Sequence, residues 1–208
     1  MTARRISGIY AVTPETEDTA ELLAKVTAVL NGGVTFVQYR NKSGTRALQR
    51  EQCTELLGRV RAFDASFIVN DSSKLALEVG ADGVHLGKGD ESVEEARTNL
   101  GPNRIIGVSC YNELERARTA QAAGADYVAF GSFFPSPTKP AAVRASVGLL
   151  QSASAELNLP VVAIGGINRG NAQALIAAGA DALGVISALF ESNEIEKETR
   201  ACMKLFTH

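Results

Sequence analysis

Short apolar runs rich in β-branched residues alternate with longer amphipathic runs from end to end of this chain, and that alternation restricts the fold more than any other feature. Strand patterns fall at 6–12, 34–38, 66–70, 83–86, 104–109, 127–132, 160–165 and 182–187. Helical patterns lie between them, near 16–30, 45–62, 72–79, 90–99, 112–123, 144–157, 169–178 and 193–205. The strands are apolar throughout, as expected of a sheet covered on both faces, and βα alternation makes that sheet parallel. A phrase recurs at the helix-to-strand junctions: "EVGADGV" at 78–84, "AAGADYV" at 122–128, "AAGADAL" at 177–183 and, more weakly, "LNGGVTF" at 30–36. In each, a glycine closes a helix in the left-handed conformation that other residues resist. Eight strand–helix units in 208 residues predict one (β/α)8 TIM barrel domain with short loops over residues 1–208. A doubly wound open sheet is the alternative. It would more often carry G-x-G-x-x-G after the first strand, where this chain has "YAVTPET".

The charge balance excludes some function classes. Lys and Arg total 21 against 23 Asp and Glu, a formal net charge of −2, so there is no broad basic field for nucleic acid and any positive charge that matters is local. Cys53, Cys110 and Cys202 are odd in number and far apart, which fits a reducing cytoplasm rather than a disulfide framework. The N-terminal residues turn polar too soon for a signal peptide, and no apolar window of about 18 residues offers a membrane span. The expectation is a cytoplasmic protein with small-molecule ligands and neither membrane nor nucleic-acid partner; self-association stays open.

In a barrel the chemistry sits at the C-terminal strand ends. The second strand continues into "QYRNK", so Val34, Phe36, Gln38, Arg40 and Lys42 share one parity, with Val34 and Phe36 expected to fill the barrel and Gln38 to reach the rim. Arg40 and Lys42 above it make a graded array for a ligand with a neutral polar head and an anionic tail. The third strand ends in Asn70 and Asp71, and the glycine-rich "VHLGKGD" delivers Asp90. Two carboxylates from neighbouring strands suit a hard cation such as Mg2+ shared with substrate phosphates. Each aspartate alone reads first as a helix N-cap, Asp90 before "ESVEEAR" especially, and it is the pair that points to a metal. His85, alone in an apolar strand, reads first as a hydrogen-bonded packing residue, and Cys110 as a small buried one. Gly165 and Gly166 let backbone amides approach a ligand, and helices starting near Arg169 and Ala188 aim their N-termini at it. The residues thus outline two anion sites, one at Arg40, Lys42 and Lys139 with a metal, the other at Gly166 and Ser187.

The run "FGSFFPSPTK" at 130–139 lies between them. Its prolines set φ and remove two amide donors, presenting Ser136, Thr138 and Lys139 in a preset geometry. An anion clamp and an ordinary solvent loop both fit those ten residues.

The segments "VQYRNK", "FIVNDSSKLALEVGADGVHLGKGD", "IIGVS", "GADYVAFGSFFPSPTK", "PVVAIGGIN" and "GADALGVISA" together resemble the thiamine-phosphate synthase family over nearly the whole chain. The resemblance implies condensation of a pyrimidinylmethyl diphosphate with a thiazole phosphate by Mg2+-assisted dissociative displacement. It implies that Gln38, Tyr39, Arg40, Asn41, Lys42, Asn70, Ser109 and Lys139 hold the pyrimidine diphosphate, and that Asp71 and Asp90 bind Mg2+. Ser136, Pro137, Thr138, Gly166, Ile186 and Ser187 would hold the thiazole phosphate. Arg40, Lys42 and Lys139 would be the catalytic cations, stabilising the departing diphosphate. The family usually has threonine where this chain has Ser136, which keeps a hydroxyl, and proline where it has Ser132, which removes backbone rigidity before the clamp. A thiazole tautomerase on the same barrel is one alternative, but its usual histidine position holds Cys110 here. A non-catalytic phosphate-ligand sensor is the other, since fold alone does not fix function.

Overall fold

A computed structural model describes residues 6–135 and 143–206. Their strands are β1 (Gly8–Val12), β2 (Phe36–Tyr39), β3 (Ser66–Asn70), β4 (Gly83–Leu86), β5 (Ile105–Tyr111), β6 (Tyr127–Phe130), β7 (Val161–Ile164) and β8 (Ala182–Val185). They pair in parallel in chain order, and β8 pairs with β1, closing the barrel. Helices α1 (Thr19–Asn31), α2 (Arg46–Ala62), α3 (Ser73–Val79), α4 (Val93–Leu100), α5 (Leu114–Ala122), α6 (Val147–Glu156) and α7 (Ala172–Ala177) follow the first seven strands. After β8 come a single-turn α8 (Ser187–Phe190), α9 (Ile195–Met203) and a 3-10 turn at Lys204–Phe206. No helix of the described residues is long and apolar enough to cross a membrane.

Strand alternation divides the apolar residues into two clusters. Tyr10, Phe36, Ile68, Ile105, Tyr127, Ala129, Val162 and Ala182 fill the barrel interior. Residues of the opposite parity, among them Val37, Phe67, Val69, Val84, Val128 and Leu183, pack outward against the helices. Val34 departs from the expected inward parity. It precedes the start of β2, after the turn through Gly32 and Gly33, and packs in the outer cluster. Helix α4 begins at Val93, not 90, because Ser92 and Glu95 form a reciprocal capping box, so Asp90 is not the cap. Helix α7 likewise starts three residues after Arg169.

The recurrent "GAD" phrase does two jobs. Gly80, Gly124 and Gly179 have φ of 79°, 88° and 97°, the left-handed turn that ends a helix. The aspartate that follows then stitches the start of its own strand to the preceding one. Asp82 Oδ2 accepts from Phe67 N at 2.8 Å, Asp126 Oδ2 from Ile106 N at 2.7 Å, and Asp181 Oδ2 from Val161 N at 2.8 Å. Their own amides return the bond to Phe67, Ile106 and Val161 carbonyls at 2.9, 2.7 and 2.9 Å. This stitching lies at the N-terminal face, away from the expected mouth, where it serves stability.

Asp126 is also paired with Arg97 at 2.7 Å. We expect Asp126→Ala to leave the Ile106 amide without its acceptor and to cost about 1–3 kcal/mol in urea unfolding, with Asp126→Asn recovering most of it. An unchanged midpoint in the alanine variant would show that the stitch contributes nothing.

Candidate active site

The last inward-facing residues of the strands line a cavity of about 340 Å³ at the C-terminal mouth. Tyr10, His85, Ala129 and Val162 form its floor, Gln38, Asn70 and Ser109 one polar wall, and Ile164 and Ile186 an apolar wall. Arg40, Tyr111 and Gly165 stand at the rim. Sequence places these residues far apart; closure of the sheet collects them. Gln38 is buried and donates from Nε2 to Asn70 Oδ1 at 3.0 Å, which fixes both amides. At β5 the register slips between Ser109 and Tyr111, a bulge that leaves Ser109 and Tyr111 on the cavity and Cys110 buried outside it. Burial pushes the Cys110 thiol up to about 12, so it offers no acid or base at the mouth.

The cations above the cavity are held by acids. Arg40 pairs with Glu15 at 2.6 Å, and Glu15 also receives the Ser43 hydroxyl at 2.8 Å. Burial alone would raise the Glu15 carboxyl, but the Ser43 bonds and the Arg40 charge hold it below the usual carboxylate range. Sequence reasoning missed Glu15, whose only signal was its place at the end of the first strand's loop. Lys42 is half exposed and pairs with Asp71 at 2.7 Å. Tyr39 and Asn41, expected to contact substrate, turn their polar atoms toward α2 and the loop before α1. The Tyr39 hydroxyl donates to Gln52 at 2.8 Å, and the Asn41 amide donates to Thr16 O at 3.0 Å and Gln52 at 3.2 Å. Their parity is opposite to that of Gln38 and Arg40, so they anchor the segment that carries the cations.

Asp71 has φ of 65°, a left-handed conformation that aspartate tolerates better than most residues, and its amide donates to His85 O at 2.8 Å. Asp90 accepts the Gly87 amide at 2.6 Å and lies against Asp71. Burial raises the Asp90 carboxyl, the Gly87 amide opposes that, and the Asp71 hydrogen bond and charge raise it further. Among the described residues no three His, Cys, Asp or Glu side chains are placed to hold a metal on their own. A pair of mutually repelling carboxylates suits a divalent cation that completes its shell with water and phosphate oxygens.

A second cavity of about 200 Å³ shares Ile164, Gly165 and Ile186 with the first and continues along Gly166, Asn168 and Ser187. Gly166 has φ of 64°, and a Cβ there would meet Pro135 O at 2.3 Å, so only glycine fits. The Gly166 carbonyl is held by Asn171 Nδ2 at 3.0 Å. Ser136, Pro137, Thr138 and Lys139 lie outside the described residues. The residues flanking them are joined: Ser132 N donates to Val143 O and Ala145 N to Ser132 O, both at 3.0 Å, while Ser132 Oγ donates to Phe134 O at 2.7 Å. Backbone rigidity expected from a proline at 132 is thus supplied here by hydrogen bonds.

Residues 9–189 match the model of thiamine monophosphate synthase. The chain belongs to the thiamine monophosphate synthase family. It is 56% identical over 199 residues to the thiamine-phosphate synthase of Thiobacillus denitrificans, covering 96% of this chain and 94% of that one. It is 51% identical over 203 residues to the enzyme of that name from Nitrosospira multiformis, covering 98% and 87%. Thiamine phosphate pyrophosphorylase from Pyrococcus furiosus superposes with a TM-score of 0.85 at 36% identity, covering 95% of this chain and 94% of that one. The chain is therefore an enzyme, a transferase of thiamine biosynthesis on a (β/α)8 barrel.

Because the folded-state pKa of Asp90 is raised, the group favours folding fully only below its unfolded value and withdraws that contribution as pH rises through the folded value. Asp90→Asn should therefore raise the unfolding free energy from urea denaturation at neutral pH, by no more than about 1 kcal/mol since the site is partly solvated. The difference should close as pH falls below the ordinary carboxylate value of 3.8. A lower midpoint for Asp90→Asn at neutral pH would contradict the assigned repulsion.

Proposed function

We propose that this chain makes thiamin phosphate by joining 4-amino-2-methyl-5-pyrimidinylmethyl diphosphate to thiazole phosphate with release of diphosphate, in the cytoplasm. The observation that carries the proposal is the joining of two cavities through Ile164, Gly165 and Ile186. One has amide and hydroxyl groups in its wall and a cation, Arg40, at its rim, as a polar ring with an anionic tail requires. The other is lined by the positive-φ glycines 165 and 166, whose missing side chains leave backbone exposed to a small anion. Two ligands so placed meet across the shared apolar wall, where proximity replaces the entropy loss of a bimolecular encounter.

The reaction needs no protein nucleophile. Breaking the carbon–oxygen bond puts negative charge on the departing diphosphate and positive charge on the pyrimidinylmethyl carbon, which the thiazole nitrogen then attacks. Asp71 and Asp90 would hold Mg2+, which when bound would supply positive charge against the negative charge developing on the departing group. Arg40 and Lys42, released from Glu15 and Asp71 toward the incoming anion, would add to this, as would Lys139 by the family resemblance. Gln38 and Asn70, locked to each other, would orient the pyrimidine. The tautomerase alternative has its usual histidine directly after the serine of the fifth strand, a place taken here by the outward-facing Cys110; the imidazole beside Ser109 is that of His85, from β4.

The direct test supplies both precursors with Mg2+ and measures thiamin phosphate and released diphosphate; no product in that mixture would overturn the proposal. Asp71→Ala should raise the Mg2+ concentration for half-maximal rate by at least about 10-fold, and activity that persists in excess chelator would exclude the metal. Gly166→Val should weaken thiazole phosphate at least about 10-fold in calorimetric titration while changing the pyrimidine diphosphate by less than about 3-fold, equal losses counting against two separate sites.

A further inference from the structure

Beneath the polar wall, four side chains form one continuous hydrogen-bonded line. Tyr10 OH lies 2.8 Å from Tyr127 OH, Tyr127 OH lies 2.8 Å from His85 Nδ1, and His85 Nε2 lies 2.9 Å from Ser109 Oγ. The line starts and ends on the main cavity, since Tyr10 and Ser109 both line it. Its middle is dry: Tyr127 is fully buried and His85 nearly so. The packing is built around it. Tyr127 pairs in register with Gly107 on β5, where a Cβ would fall 1.9 Å from Tyr127 Cζ, so the glycine is the slot for the phenol ring. His85 stacks on that ring at 5.5 Å between centroids, and Tyr10 meets it edge-on at 5.8 Å. Burial raises the Tyr10 and Tyr127 hydroxyls above their usual range, which keeps both as neutral phenols.

Each phenol and the serine has one hydrogen to donate, and a neutral imidazole has one N–H and one acceptor nitrogen. The line therefore has two self-consistent settings. In one, Tyr10 donates to Tyr127, Tyr127 to His85 Nδ1, and His85 Nε2–H to Ser109, so the serine hydrogen is turned into the cavity. In the other every bond is reversed, Ser109 donates to His85, and the free hydrogen is that of Tyr10. Ser109 is the partly exposed end of the line and Tyr10 the buried one, so a ligand rich in acceptors meets the serine hydroxyl.

We propose that His85 is a positioning residue for the condensation. With ligand bound, the Tyr10–Tyr127 pair holds its imidazole as the Nε2–H tautomer, and the imidazole holds the Ser109 hydroxyl as a donor aimed at the ligand. The inference rests on the synthase assignment above for the identity of that ligand. It assigns a role to His85, Tyr127 and Tyr10, which lie below the residues expected to touch substrate. Rupture of the carbon–oxygen bond strengthens the ligand's acceptors on that side, so an already oriented donor helps the transition state more than the ground state.

The chain has two histidines, so His208→Gln leaves His85 as the sole imidazole for nitrogen-15 NMR. With saturating inorganic diphosphate and Mg2+ as the probe, we expect the Nε2–H tautomer, and in Tyr127→Phe a mixture of the two. The Nδ1–H tautomer in the bound protein, or no change in Tyr127→Phe, overturns the proposal. In kinetics, His85→Phe and Ser109→Ala should each lower kcat by about 10–100-fold, the loss usual when the partner of an active-site group is removed, with KM for thiazole phosphate within about 3-fold. If His85 acts through Ser109, the double variant is no slower than the slower single one by more than about 2-fold. His85→Gln, whose carbonyl can accept from Tyr127 and whose amide can donate to Ser109, should recover part of the loss. Multiplying losses in the double variant overturn the proposal. A protein that shows the expected tautomer yet makes no thiamin phosphate overturns the reaction and supports the line.

Discussion

β8 hydrogen-bonds to β1 as well as to β7, and this closure leaves the sheet without an edge. Every strand must then send alternate residues to one axis and the rest to the helices, a division that the two separate apolar clusters record. Everything at the mouth follows from that parity. Gln38, Asn70, His85 and Ser109 meet because each is the last or next-to-last inward position of its strand, while the side chains of Tyr39 and Asn41, one residue out of phase, bond to Gln52 and Thr16, and Cys110 packs in the outer cluster. The aspartates of the "GAD" phrase secure the opposite face, so that stability and chemistry occupy different ends of the same strands.

At the mouth, opposite charges are kept waiting in pairs. Arg40 rests on Glu15 and Lys42 on Asp71, while Asp90 sits beside Asp71 with its carboxyl raised. Partly solvated pairs of this kind are weak, so an incoming anion could exchange them at little cost. Two backbone positions at the same rim are left-handed without being glycine, Asp71 and Tyr111. Such residues persist only where surroundings hold them: the Asp71 amide is bound to His85 O, and the Tyr111 hydroxyl receives the Lys88 amide at 3.1 Å under the Arg116 guanidinium. Arg116 further ties the Ser109 carbonyl on β5 to the Gly87 carbonyl after β4, at 2.7 and 3.1 Å. The polar wall is thereby braced from outside as well as from beneath.

Much of this was legible in the sequence, for a definite reason. Strand and helix periods, glycine at helix ends and the order of strand-terminal polar residues are local properties, and local properties survive in a one-dimensional string. The β4 strand matched at both ends, 83–86. Boundaries failed where a side chain decided them, as with Ser92 taking the capping role in place of Asp90 and the turn at Gly32 and Gly33 putting Val34 outside. Residues marked by charge at strand ends, such as Arg40 and Asp71, were visible. Glu15, Tyr10 and Tyr127 were not, because an acid in a loop and tyrosines in apolar strands look like solvated and packing residues until their partners are known.

By itself the sequence determined the alternating units, the shared face of Phe36, Gln38 and Arg40 and, through its resemblance, the family. Those depend on backbone geometry and on spacing within about ten residues. Only the tertiary structure decided that Gln38 locks Asn70, that Lys42 meets Asp71, and that His85 links Tyr127 to Ser109. Each of these contacts joins different strands or their loops, and the three hydrogen bonds among them span 24 to 42 residues with helices in between. Their distances are set by barrel closure and register, which no local pattern encodes.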